Sequence, residues 1–158
     1  MSQQLSTALA AHLRAVFFGG NWTTVNVKDV LSDVSVEHVH LRPLGPNSIL
    51  RLSYHIAYYV RAQISVFENK GLHASDDESY SHPDVVHEDD WRRFVQHILT
   101  DVELLANHIE LLDEDTIWGN FVDQRYGSVF RNIVGMIEHT HYHLGQIVII
   151  KKYLSTVK

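Results

Sequence analysis

The sequence contains no cysteine among its 158 residues. This absence excludes disulfide bonds, thiolate metal ligands and a catalytic cysteine nucleophile. It also fits a reducing compartment, and we therefore expect a cytoplasmic protein. Any metal site in this chain must be built from histidine, carboxylate or other oxygen ligands.

A basic excess and a long apolar run are also missing. The formal net charge is −6 and the pI is near 6.0, which argues against nucleic-acid binding because that function needs a basic surface. The amino terminus lacks the positive start of a secretory signal, and apolar groups such as residues 147–150 are too short to span a membrane. No internal repeat or low-complexity segment is present. We expect one domain over residues 1–158, with no nucleic-acid or membrane partner.

Apolar residues recur at helical spacing in four long segments. The predicted helices cover about 4–18, 48–68, 88–112 and 128–154. A short helix is expected over 25–31 with Thr24 as its N-cap, while Asn47 is the expected N-cap of the second long helix. Residues 32–44 are expected to form a loop or irregular helix, and residues 116–126 a lid or short helical turn. Four such helices favour an all-α four-helix bundle.

The connector between the second and third long helices is polar and covers residues 69–87. Fully extended, it could reach roughly 50 Å or more at ~3.3 Å per residue, whereas a helix of about 20 residues is ~30 Å long. A compact antiparallel hairpin would need far fewer residues. The chain can therefore cross the whole bundle here, which leaves these two helices parallel.

Histidine is abundant, with twelve residues, and two of them are placed for joint chemistry. His139 and His143 are four residues apart, so their rings share one face of the last helix, whereas His141 points roughly the opposite way. His55 lies in the nearly all-apolar second helix, where a histidine is buried or faces a cavity. The pair alone could be a buried core pair satisfied by hydrogen bonds. Together with His55 it favours a metal site.

Three imidazoles suit Zn²⁺, Ni²⁺ or Fe²⁺. Neutral ligands leave the metal its Lewis acidity, and a fourth position would hold water or substrate, as in catalytic sites. A closed structural site would need a fourth protein ligand, for which the sequence offers no strong candidate.

Residues 139–147, with the sequence HTHYHLGQI, resemble the carboxy-terminal HxxxHxGQ signature of the DinB/YfiT-like superfamily. Trp22, the helix start at residues 45–49 and His55-Ile56 resemble that family's first ligand region. The resemblance covers nearly the whole chain and implies a four-helix bundle with up-down-down-up topology. It also implies a metal held by three histidines, which correspond here to His55, His139 and His143. From its position, Trp22 is expected to plug the end of the bundle rather than to line a pocket mouth.

Two further residues are candidates for supporting roles. Gln146 resembles the signature glutamine of the family and could orient the His143 ring, touch a ligand or only pack the helix. Tyr59, one turn after His55, could donate its hydroxyl into the cavity or belong to the core.

Several functions remain open at this point. The resemblance implies a metal-dependent enzyme, either a transferase or isomerase that uses a low-molecular-weight thiol or a hydrolase acting on a small molecule. The alternatives are a binding or stress-response protein whose metal does no chemistry, and a structural homodimer with a vestigial site; the family also makes a homodimer plausible in the enzyme. No general base is identified. Four arginines could hold carboxylates, although helical arginines are usually solvated or paired: Arg51, Arg61, Arg125 and Arg131.

Overall fold

The computed structural model describes residues 3–156, with only the backbone of Gln3. This range contains seven α-helices and two short 3₁₀ helices, and no β-strand occurs within it. The α-helices are α1 (Gln3–Phe18), α2 (Val27–Ser32), α3 (Val36–Val39), α4 (Ile49–Phe67), α5 (Glu88–Glu110), α6 (Glu114–Trp118) and α7 (Val129–Thr156). The 3₁₀ helices are Glu78–Tyr80 and Gln124–Tyr126. The all-α fold class is confirmed, and the four long helices lie close to their predicted bounds.

The long helices pack into a helical bundle around one apolar core. Helix α1 packs against α5 and α7, and α4 packs against the same two helices. Phe17, Leu50, Leu105 and Ile133, one from each long helix, are fully buried within the shared core. The amphipathic seams predicted from the sequence therefore meet at the centre of the bundle.

Contacts between α4 and α5 fall in the same order along both helices. The rings of Tyr54 and Phe94 stack with centroids 6.5 Å apart. Further along both helices, the Nε atom of Arg61 donates to Asp101 Oδ2 at 2.7 Å. Both contacts join residues whose numbers differ by 40, so the two helices keep one register over this length.

Contacts between α4 and α7 fall in opposite order. His55 lies beside His139, with 2.9 Å between their Nε2 atoms. Further along α4, Gln63 Nε2 donates to the backbone oxygen of Asn132 at 2.7 Å. This pairing brings the middle of α4 to the middle of α7, where the candidate site lies.

Two predicted N-caps are wrong by one or two residues. Ser48, not Asn47, caps α4, because its Oγ atom accepts a hydrogen bond from the Arg51 backbone N–H at 3.2 Å. Asn26, not Thr24, caps α2 through Oδ1. Both short polar side chains satisfy a backbone donor that a helix start leaves unpaired.

The expected position of Trp22 is also wrong. Its side chain is 98% exposed, so it neither plugs the bundle nor lines a pocket. It follows Gly19 and Gly20, which both have positive φ and turn the chain outward from α1. Residues 32–44 contain a real helical segment, α3, and residues 116–126 contain the end of α6 and a 3₁₀ turn.

The connector at residues 69–87 folds onto α4 and is not merely a solvated crossing. Its 3₁₀ helix Glu78–Tyr80 packs against α4, and Ser79 is 0% exposed. The connector therefore forms one wall of the region around His55. Separately, no helix within residues 3–156 has the length and apolar character needed to cross a membrane.

Candidate metal centre

Three histidines from two helices converge at one place in the bundle. His55 on α4 and His143 on α7 are buried, while His139 on α7 is half-buried. One ring nitrogen from each lies within 4.8 Å of the others. These are the three residues proposed from the sequence, and the His141 ring is outside the cluster.

The proton position on His55 follows from its hydrogen bonds. Its Nδ1 atom lies 2.8 Å from Ser79 Oγ, and Ser79 Oγ donates to the backbone oxygen of Asp76 at 2.6 Å. A hydroxyl group has one proton, so Ser79 accepts from the Nδ1–H of His55. In the neutral ring, Nε2 then carries the lone pair and can only accept a hydrogen bond.

His143 is held in the same tautomer by Gln146. The Oε1 atom of Gln146 lies 2.9 Å from His143 Nδ1, and an amide oxygen can only accept. His143 therefore donates from Nδ1 and leaves its Nε2 lone pair free. The hydrogen bond places Gln146 beside His143, and its role in orienting that ring stays a prediction.

His139 has one satisfied nitrogen and one orphan. Its Nε2 faces His55 Nε2 at 2.9 Å, and since the His55 atom carries no proton, His139 donates across this contact. Its Nδ1 atom is buried and has no hydrogen-bond partner within residues 3–156. A buried polar atom of this kind normally has a partner. Because Nε2 carries the proton, Nδ1 holds the lone pair of the neutral His139 ring.

Burial keeps these imidazoles uncharged. It lowers the pKa of His55 to about 4, and the nearby His143 contributes in the same direction. It likewise lowers the pKa of His139 to about 4, with His143 and His55 adding to the effect. The pKa of His143 is lowered by burial, against which its hydrogen bond to Gln146 acts. Neutral rings present lone pairs, which is the state that a metal ion requires.

An aromatic stack covers one side of the cluster. The ring of Tyr80 lies parallel to His55, with centroids 4.2 Å apart and a 7° interplanar angle. The guanidinium of Arg51 sits over the Tyr80 ring, 4.3 Å from the ring centroid. This stack restricts rotation of the His55 ring beyond what Ser79 does.

The histidines line a cavity of about 710 Å³. Tyr59 lies on its wall, half-buried, and its hydroxyl donates a short hydrogen bond to Asp76 Oδ1. Burial and this carboxylate raise the pKa of Tyr59 to about 12. Tyr59 therefore remains a hydrogen-bond donor at neutral pH, directed to Asp76 at the cavity wall.

Sequence reasoning missed the residues that the connector supplies. Asp76, Ser79 and Tyr80 all come from residues 69–87, for which the sequence predicts only a polar crossing. The one signal that the sequence offers there is an aromatic residue next to a serine. Nothing in the local pattern joins that pair to a histidine 24 positions earlier.

The donor set fits a divalent metal. Nitrogens bound to one tetrahedral zinc lie about 3.3–3.4 Å apart, given a Zn–N distance of about 2.0–2.1 Å. The observed separations run from 2.9 Å for one pair to at most 4.8 Å, so small side-chain movements match this spacing. A metal would also replace the contact between the two Nε2 atoms. A histidine triad of this kind could therefore hold a divalent ion.

Comparisons of the chain with protein-family models, with curated proteins and with solved structures give no match. The interpretation of this site therefore depends on its own geometry and chemistry.

Proposed function

We propose that this chain is a metal-dependent enzyme of the DinB/YfiT-like type that acts on a small molecule. The observation that carries the proposal is the position of the three histidines, which meet on the wall of a 710 Å³ cavity rather than in a sealed core. Cavities of a few hundred Å³ with convergent polar groups are typical of small-molecule sites. The three ligands leave room for a substrate, as in catalytic rather than structural metal sites.

The proposed family topology is up-down-down-up, and the helix contacts support it. Arg14 on α1 bonds Glu103 and Glu110 on α5, and Ser6, earlier on α1, bonds the backbone oxygen of Glu110. Low numbers on α1 therefore meet high numbers on α5, as in antiparallel helices. The Tyr54–Phe94 and Arg61–Asp101 contacts follow the same order along both helices, which favours a parallel arrangement of α4 and α5.

A divalent metal held by neutral imidazoles would supply Lewis acidity at one end of the cavity. The protein's own contribution is orientation: Ser79 and Gln146 fix two of the rings so that their Nε2 lone pairs converge. Tyr59 and Asp76 place a hydrogen-bonded hydroxyl and carboxylate beside them. Zn²⁺, Ni²⁺ and Fe²⁺ are the proposed ions, as all three accept imidazole ligands.

Metal titration of purified, chelator-treated protein tests the site. We expect one equivalent of Zn²⁺ or Ni²⁺ to bind, and expect His55→Ala, His139→Ala and His143→Ala each to abolish tight binding. His97→Ala is the matched control, because His97 is exposed on α5 and lies outside the cluster. Equal metal content in wild type and the three cluster variants would overturn the proposal.

Enzyme activity separates the catalytic proposal from the non-catalytic alternative. The first assay follows hydrolysis of ester and amide substrates; the second follows conjugation of an electrophile by low-molecular-weight thiols. We expect a metal-dependent rate in one assay that His143→Ala removes and His97→Ala retains. Metal binding without any such rate would favour a metal- or ligand-binding protein.

A further inference from the structure

The cavity carries an arginine that has no acidic partner. Arg131 on α7 lines the cavity, and within residues 3–156 its guanidinium makes no ion pair or hydrogen bond. Arg125, also on the wall, contrasts with it, because two of its nitrogens bond the carboxylate of Asp123 at 2.8–3.3 Å. The uncompensated positive charge of this wall is therefore at Arg131.

Helical geometry places Arg131 in line with the histidine cluster. Arg131, Gly135 and His139 occupy positions i, i+4 and i+8 of α7, so they lie along one strip of the helix. At a rise of 1.5 Å per residue, the Cα atoms of Arg131 and His139 are about 12 Å apart. This length suits a small organic molecule that reaches from one to the other.

Gly135 leaves the cavity wall between Arg131 and His139 free of a side chain. A Cβ atom at Gly135 would meet no atom within 4 Å beyond its chain neighbours and the backbone of its own helix, and the residue lines the cavity. Glycine in a helix interior costs about 1 kcal/mol relative to alanine, so no gain in helix stability explains it. Because no side chain projects here, a ligand can lie directly against the α7 backbone.

The loop before α7 leaves room for the Arg131 side chain. A Cβ atom at Gly127 would lie 3.0 Å from Arg131 Cδ and 3.3 Å from Nη1, and the residue has φ of +73°. Asn132 holds the same loop by donating to the backbone oxygens of Tyr126 at 2.9 Å and Ser128 at 2.8 Å. The observed conformation of the Arg131 side chain thus depends on a glycine at position 127.

We infer that the cavity binds a small organic carboxylate, with its anionic group at Arg131 and its body over Gly135. The other end of the ligand reaches the histidine cluster. Asp76 lies on the cavity wall beside the histidines, where it accepts the Tyr59 hydroxyl, so in the metal-free protein its negative charge disfavours a second anionic group at that end. The inference names the substrate class of the proposed enzyme, although the Arg131 contact does not itself require a metal.

Calorimetric titration with acetate, N-acetylglycine and hippurate tests this inference on both metal-free and zinc-loaded protein. Hippuramide, the neutral counterpart of hippurate, shows whether the carboxylate matters. We expect hippurate to bind most tightly and Arg131→Gln to weaken it about tenfold or more, the usual effect of losing a charge-assisted hydrogen bond. Arg92→Gln is the control, since Arg92 is an exposed α5 residue outside the cavity.

A steric pair of variants tests the path over the helix. Gly135→Leu adds a bulky side chain to the cavity wall, and we expect it to abolish hippurate binding. Gly145→Leu is its match, because Gly145 lies on the same helix with no atom within 4 Å but outside the cavity, and we expect wild-type affinity. Circular dichroism checks that both variants fold.

Equal affinity for hippurate and hippuramide, wild-type affinity in Arg131→Gln, or no binding of any of the three acids at millimolar concentration would overturn the inference. Metal content is measured on the same samples. Failure to bind zinc would contradict the metal centre, whereas Arg131-dependent binding to metal-free protein would still support the carboxylate site. The two proposals can therefore fail separately.

Discussion

The Nε2 atoms of His55 and His139 lie 2.9 Å apart, although the two residues are 84 positions apart in the chain. Packing of α4 against α7 creates this contact. Since burial keeps both rings neutral, the contact joins a lone pair and a proton rather than two like charges.

Ser79→Ala tests the tautomer of His55. The substitution removes the acceptor that holds Nδ1–H, so the ring can rotate or change tautomer. We expect metal affinity to fall about 10–100-fold, the usual effect of losing such a partner, in a competition titration with a chelating dye. Ser81→Ala, an exposed serine on the same connector, is the control. Equal affinities for the two variants would contradict the role of Ser79.

Gln146 is expected to act as an acceptor for His143, and two substitutions separate this role from packing. Gln146→Leu keeps similar bulk but loses the acceptor, and we expect about a tenfold loss of metal affinity. Gln146→Glu retains an acceptor oxygen and should remain closer to wild type. A leucine variant with wild-type affinity would leave Gln146 only a packing role.

Arg14 connects α1 to α5, and its contribution to stability should depend on pH. Its hydrogen bond lowers the pKa of Glu110, so near pH 4 the unfolded chain binds more protons than the folded one at this carboxyl. Stability from this pair is complete above the ordinary glutamate pKa and is lost as pH falls through the lower folded value. We expect Arg14→Met to lower the melting temperature by a few degrees at neutral pH.

The difference in melting temperature between wild type and Arg14→Met should narrow as pH falls below about 4. Arg92→Met, which loses only a highly exposed pair with Asp89 at 3.7 Å, should have little effect at any pH. A constant difference across the acid range would show that Arg14 stabilises the fold by packing alone.

Leu104 and Leu105 are adjacent on α5, but Leu105 faces the core and Leu104 faces the solvent. Leu105 is 0% exposed and Leu104 is 40% exposed. We expect Leu105→Ala to lower the free energy of unfolding by about 2–5 kcal/mol and Leu104→Ala to change it by about 0.5 kcal/mol. Chemical denaturation measures both, and the reverse ranking would contradict the described core.

Metal affinity at low temperature, where both variants are folded, should match wild type, because α5 supplies no residue to the cluster. Loss of metal binding in folded Leu105→Ala would instead show that the cluster depends on the packing of α5.

The sequence predicts the long helices and the histidine cluster well, because each depends on a regular spacing. Apolar residues at helical period mark α5 from end to end, and the i, i+4 spacing puts His139 and His143 on one face. His55 could be chosen because a histidine stands out in an apolar helix. Capping is less predictable, since Asn47 and Ser48 are both good caps and only the backbone selects one.

Tertiary contacts of irregular segments could not be predicted in the same way. Ser79 and Tyr80 reach His55 because the connector folds back on α4, and no periodic pattern records that path. The position of Trp22 is wrongly predicted for a related reason. Its hydrophobicity suggests burial, whereas the glycines before it direct its side chain towards the solvent. The homodimer, the cytoplasmic location and the single-domain extent over residues 1–158 stay predictions.

Imidazole nitrogen NMR of the protein, recorded before and after one equivalent of Zn²⁺, tests whether the three histidines bind one metal ion. We predict that His55 and His143 are protonated at Nδ1 in the metal-free protein. We also predict that the Nε2 shifts of His55, His139 and His143 move on zinc addition while those of the other nine histidines do not. Assignment follows from the three alanine variants, each of which removes one signal. Unchanged Nε2 shifts for these three rings, or zinc-induced shifts at other histidines instead, would contradict a metal centre at this cluster.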